Sequence, residues 1–171
     1  MKQNRNKGFS LMELIVTIAI IGILTALTTI GMDYIASGNV QSTAKQIDST
    51  LTKLKLDTMS KGNKPYMYLY KVGDELYMYC TANDIADNPC NISPNPGTKI
   101  GNNQVSVKID GTELQNASSV KIGFKKGNGA FVDGTCSSID VSKEGGDGLI
   151  HRIYLIKGTG KHYIEKVAQG S

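Results

Sequence analysis

Between Phe9 and Met32 the sole charged residue is Glu13, set in a run of Leu, Ile, Val, Met, Ala, Gly, Ser and Thr. A carboxylate at a bilayer centre costs about 2.5–3.5 kcal/mol on insertion scales. Its presence therefore asks for a purpose beyond anchoring. The next reactive groups are Cys80, Cys90 and Cys136. Their odd number permits at most one internal bridge. Cys80–Cys90 would staple a short Pro-rich loop and is the preferred pair; a bridge to Cys136 would tie that loop to a later strand. Three reduced thiols are the third arrangement. No Cys-x-x-Cys pair occurs and there are two histidines, His151 and His162, so no zinc site is expected.

Other groups are open to bland and sharp readings. Tyr66, Tyr68, Tyr70, Tyr77 and Tyr79 alternate, as cross-strand pairs or helix-packing residues do; a sugar- or base-stacking face is the rarer use. Lys121, Lys125, Lys126, Arg152, Lys157, Lys161 and Lys166 would make a DNA-binding patch if they converged, and otherwise are solvated strand faces. Asp110-Gly-Thr-Glu113 and Glu144-Gly-Gly-Asp-Gly148 offer oxygen ligands without EF-hand spacing, and turn preferences explain both. No nucleophile elbow, phosphate loop or metal motif is present, so neither catalysis nor a cofactor is expected.

These residues must be carried by two kinds of element. Leu14 to Met32 is 19 residues without a charge, or about 28 Å of helix against a hydrocarbon thickness of about 30 Å. Lys2, Arg5 and Lys7 precede the run and Asp33 follows it, which predicts a cytoplasmic N-terminus and an exported remainder. Beyond Asp33, Val40, Ala44, Ile47, Leu51 and Leu54 recur at four- and three-residue steps, the mark of one buried helix face. The helix is expected to bend near Ser37-Gly38-Asn39 and to stop at Lys61-Gly62-Asn63-Lys64-Pro65. After Pro65 the pattern turns to β. Tyr66–Val72 and Glu75–Cys80 form a hairpin, and residues 81–103 an irregular loop. Strands follow at 104–109, 120–124, 130–132 and 139–141, with a closing hairpin of Leu149–Lys157 and His162–Val167. The expected fold is α+β, a long N-terminal helix (transmembrane, then amphipathic) packed on one antiparallel sheet.

The run Lys7-Gly8-Phe9-Ser10-Leu11-Met12-Glu13 resembles the class III leader of type IV prepilins and type II secretion pseudopilins: a basic leader, Gly-Phe at the cleavage point and Glu as fifth mature residue. The resemblance implies cleavage between Gly8 and Phe9 by a prepilin peptidase, and methylation of the Phe9 amine. It also implies assembly through Phe9 and Glu13, the carboxylate pairing with the amine of a neighbouring subunit and setting axial register. Many pilins have proline where this chain has Ile30. The closing hairpin, with Arg152-Ile153-Tyr154-Leu155 and a Gly turn, is similar to that of GspH/FimT-type minor pilins and pseudopilins.

On this reading residues 1–8 are a cleaved leader, 9–61 a spine helix spanning the membrane over about 9–32, and 62–171 a β-rich head. The leader takes three of the 19 basic residues, leaving 16 against 15 acidic ones, so the mature charge of +1 makes no overall case for nucleic acid. The expected function is a filament subunit of a type IV pilus or secretion-like fibre, leaning towards a minor subunit. It would be held in the cytoplasmic membrane before assembly and in an extracellular filament afterwards. Its partners would be the peptidase, other subunits, the assembly platform and its ATPase. The alternative is an anchored or filament-tip binding module for DNA, a surface or an exported protein.

Overall fold

The computed structural model describes residues 10–61, 65–82, 84–85, 88–145 and 148–168, without the side chains at 27–33 and 61. Two compact units divide the chain, one ending at Ile35 and the other starting at Ala36. The helix α1, Leu11–Lys61, contributes to both. The helix ends at Lys61 and the strands begin at Tyr66, while the second compact unit takes in the helix from Ala36 onward. The cause is the buried stripe: Val40, Ala44, Ile47, Leu51 and Leu54 are all in the core of the second unit, on the face their spacing predicts. Each buried Val, Ile or Leu of the stripe contributes about 1.5–3 kcal/mol.

Among the described residues nine strands complete the second unit: β1 (Tyr66–Val72), β2 (Glu75–Thr81), β3 (Thr98–Gly101), β4 (Val105–Ile109), β5 (Thr112–Glu113), β6 (Ser119–Gly123), β7 (Ser138–Lys143), β8 (Leu149–Ile156) and β9 (Lys161–Ala168). They form two antiparallel sheets where one was expected, ordered β3-β2-β1-β6 and β5-β4-β7-β8-β9. The chain leaves the first sheet after β3, pairs β4 with β5, and returns to lay β6 beside β1 with Tyr66 opposite Gly123. Such long-range pairings leave no trace in local periodicity. Met67, Leu69 and Ile122 from the first sheet meet Val141, Ile153 and Leu155 from the second in one cluster with the helix stripe.

Two expected elements differ. Residues 130–132 make one bridge, Phe131 opposite Phe124, because the chain must fold through the turn at Lys126–Asn128 within a few residues. Conversely, the loop expected over 81–103 contains β3 and a short 3₁₀ turn at Pro89–Asn91.

Tyr68 and Tyr70 are structural, but against a different surface from the helix. In β1, Met67 and Leu69 enter the core while Tyr68 and Tyr70 point to the opposite face, as the period of two requires. Residues of the following loop cover them: Tyr68 Oη donates to Asp84 Oδ1 at 2.6 Å and accepts from Ile85 N–H, and Tyr70 Oη donates to Asn95 Oδ1. Burial, then the Asp84 hydrogen bond, pushes the Tyr68 hydroxyl up to about 12. A raised tyrosine pKa means the folded state keeps its proton longer, so this stability is present below about pH 10 and is lost between about 10 and 12. Tyr68→Phe is expected to lower Tm at neutral pH yet flatten the alkaline decline of Tm, read by thermal melts across that window.

Candidate assembly site

Glu13 occupies the first turn of α1. Its backbone N–H donates to Ser10 O at 3.0 Å and to Ser10 Oγ at 3.2 Å, and Leu14 N–H donates to Ser10 O at 3.2 Å. Ser10 is therefore the N-cap, with Glu13 at the third helical position. Ser-x-x-Glu is the capping-box pattern; it was visible in Ser10-Leu-Met-Glu13 and gives the pair a helix-starting role beside the functional one. Gly8 and Phe9 lie outside the described residues.

The helix beyond is apolar on every side. At 100° per residue Leu14, Ile15, Val16, Ile18, Ile20, Ile21, Ile23 and Leu24 together sample all its faces, and each is about half exposed. A helix hydrophobic all round is one that becomes buried in lipid or protein. Two of its hydroxyls are already satisfied: Thr17 Oγ1 donates to Leu14 O, and Thr25 Oγ1 to Ile21 O and Gly22 O. Threonine can thus enter an apolar medium at small cost. Among the described residues no helix is long and apolar enough to cross a membrane; the uncharged run continues into positions 27–33, whose side chains lie outside the description.

Residues 3–29 match the family model described as the prokaryotic N-terminal methylation motif. This is a class III prepilin motif. It is characteristic of type IV pilins and pseudopilins, and makes the chain pilin-like in its N-terminal segment and in its α+β plan. A prepilin leader implies processing by prepilin peptidase, insertion in a membrane and assembly with other pilin subunits. No curated protein and no solved structure matches the chain.

Set beside the prepilin motif, several of the head's basic residues are spent on ion pairs. Of the seven basic residues, Lys121 pairs with Asp84 at 2.9 Å, Lys125 with Asp133 at 2.9 Å, and Arg152 with Asp140 through both nitrogens at 2.7 and 2.9 Å. Strand register also lines up Glu113, Lys108, Asp140, Arg152 and Glu165, one from each strand of the five-stranded sheet and alternating in sign. Asp140 is 6% exposed within this row. A row of alternating sign repels a polyanion about as much as it attracts one. Asp110 is spent on a turn, accepting from Ser137 N–H and Ser138 N–H at 2.8 Å each. No group of three potential metal ligands occurs among the described residues.

The preferred Cys80–Cys90 bridge is not formed; all three cysteines are thiols. Cys80 stands opposite Met67, whereas Cys90 Sγ lies 3.9 Å from Lys71 O, four residues farther along β1. That is about 13 Å of strand, well beyond the roughly 4.4–6.8 Å between α-carbons that a disulfide spans. Cys80 is exposed and Cys136 buried, and burial, then Asp110, pushes the Cys136 thiol up to about 12. Alkylation of the folded chain is expected to modify Cys80 first and to spare Cys136 until denaturant is added, with three thiols titrating in total; peptide mass mapping reads this out.

Proposed function

We propose that the chain is a subunit of a type IV pilus or a related secretion-type filament, and in particular a minor subunit. The observation that carries the reading is one carboxylate, Glu13, in the first turn of an all-round apolar helix within the matched prepilin motif. The subunit waits in the cytoplasmic membrane with residues 1–8 inside, held by the uncharged run to Met32. A prepilin peptidase cuts between Gly8 and Phe9, and the new amine is methylated. Extraction by an assembly platform and its ATPase moves the helix from lipid to a bundle of like helices, where the Phe9 amine and a neighbour's Glu13 neutralise each other. The N-terminus of a helix is the positive end of its dipole, which makes a neighbour's carboxylate there more valuable.

The head acts by contact and not by catalysis. Its paired cations and alternating charge row favour a coat or cap over a DNA-binding tip. The closing hairpin, β8 and β9, supports the minor-subunit reading by its similarity to GspH/FimT-type proteins. The test is the intact mass of this chain in sheared surface filaments. A trace species starting at methylated Phe9 supports a minor subunit, and an abundant one a major pilin. Uncleaved chain confined to the membrane would overturn the filament reading.

A further inference from the structure

A cavity of about 360 Å³ opens in the second unit, lined by Ser37 and Gln41 of α1, Lys143 of β7, Leu149 and His151 of β8, and Lys166 of β9. His151 is 8% exposed, and its ring has no hydrogen-bond partner among the described residues. Its nitrogens are not sealed from the cavity. The ring can therefore meet a ligand through the cavity, with no protein partner to displace.

The surroundings say what sign that partner has. Lys166 lies directly across from His151 in the β8–β9 register. Burial, then the charges of Lys166 and Lys45, hold His151 below the usual histidine range. Lys143 is a further cation on the wall and already has a partner. Among the described residues no carboxylate lines the cavity.

We propose that this cavity binds a phosphate group, with Lys166 on its wall supplying positive charge and His151 the hydrogen bond. The phosphate comes from one of two sources, a lipid headgroup or a free anion. The headgroup is favoured by the chain itself: Ser37 follows Met32, the end of the uncharged run, by five residues, which span at most about 18 Å when fully extended. Leu149, 57% exposed on the cavity wall, is an apolar contact for an acyl chain. This source rests on the membrane-stage reading above; the anion site does not. An entering anion stabilises the imidazolium, so binding takes up a proton and strengthens as pH falls.

The test uses the full chain in maltoside micelles and the ring NMR signals of His151 and His162, assigned with His151→Gln. Inorganic sulfate serves as a probe whose own charge is constant over about pH 5–8, the range in which histidine titrates; phosphatidylglycerol doped into the micelles is the second probe. The midpoint of His151 is expected to rise by about one pH unit, a tenfold gain in proton affinity, while His162 stays. Lys166→Ala should abolish that response and Lys108→Ala should keep it. A response to phosphatidylglycerol alone assigns the headgroup, and a response to both assigns a general phosphate site. A His151 that moves with neither probe, or only together with His162, overturns the proposal.

Discussion

Glu13→Ala is expected to remove the chain from filaments while leaving it in the membrane fraction in at least its usual amount. The reason lies in where each state puts the carboxylate. In the membrane the charge is a liability, worth up to about 2.5–3.5 kcal/mol at the bilayer centre, so alanine helps insertion or leaves it unchanged. In a filament the same charge offsets a neighbour's Phe9 amine, and removing one partner of a buried pair costs about 3–5 kcal/mol because the other charge stays behind. That is a factor of roughly 10² to several times 10³ at each subunit contact. The side chain also serves the helix start, where an acidic residue is worth about 0.3–1 kcal/mol. This lesser role cannot account for a complete loss of assembly. Glu13→Leu separates the readings further, since it improves an ordinary anchor. Quantitative blotting of sheared filaments against membranes checks both variants; normal incorporation of either would show that Glu13 does not mediate assembly.

Gly160→Ala should be the most destabilising single-methyl change in the head, at about 3 kcal/mol or more of a total that for a domain is about 5–15. Gly160 ends the β8–β9 turn at φ +62°, and a Cβ built there would stand 1.8 Å from Gly129 O and 3.2 Å from Phe124 Cδ1. The opposing atom is backbone, which cannot swing aside. Gly129 is itself at φ +64° and pressed against Met59 and Lys55 of α1. Lys55 Nζ meanwhile donates to Thr159 O and Gly160 O at 3.2 and 3.0 Å, so the turn is held from both sides. Two control substitutions divide the effect. Gly111 has φ +82° with open space around its Cβ position, and Gly111→Ala should cost only the conformational penalty of about 1–2 kcal/mol. Gly158 has neither a positive φ nor a neighbour, and Gly158→Ala should lie near zero or stabilise slightly. Urea titrations of the three variants give the order directly. Equal losses at Gly160 and Gly111 would mean that the contact with Gly129 relaxes freely.

The parts of this protein governed by neighbours in the chain were readable from residues alone. The uncharged run, its lone carboxylate and the Gly8-Phe9 junction are local patterns. So are the helix stripe Val40–Leu54 and the hairpins at Gly73-Asp74 and Gly158–Gly160, because helix and hairpin contacts join residues a few positions apart. Ser10 was equally local, and a search for Ser-x-x-Glu would have found it. What tertiary structure alone decided involves partners tens of residues away. The division into two sheets depends on β6 finding β1 and β7 finding β4. The alternating row from Glu113 to Glu165 exists only in that register, and a slip of one residue would send its side chains to the other face. The cover over Tyr68 and Tyr70, the separation of Cys80 from Cys90, and the meeting of His151 with Lys166 follow from the same long-range pairing. Periodicity assigns a side chain to a face, but which groups share that face, and with what charge, is settled only when distant strands come together.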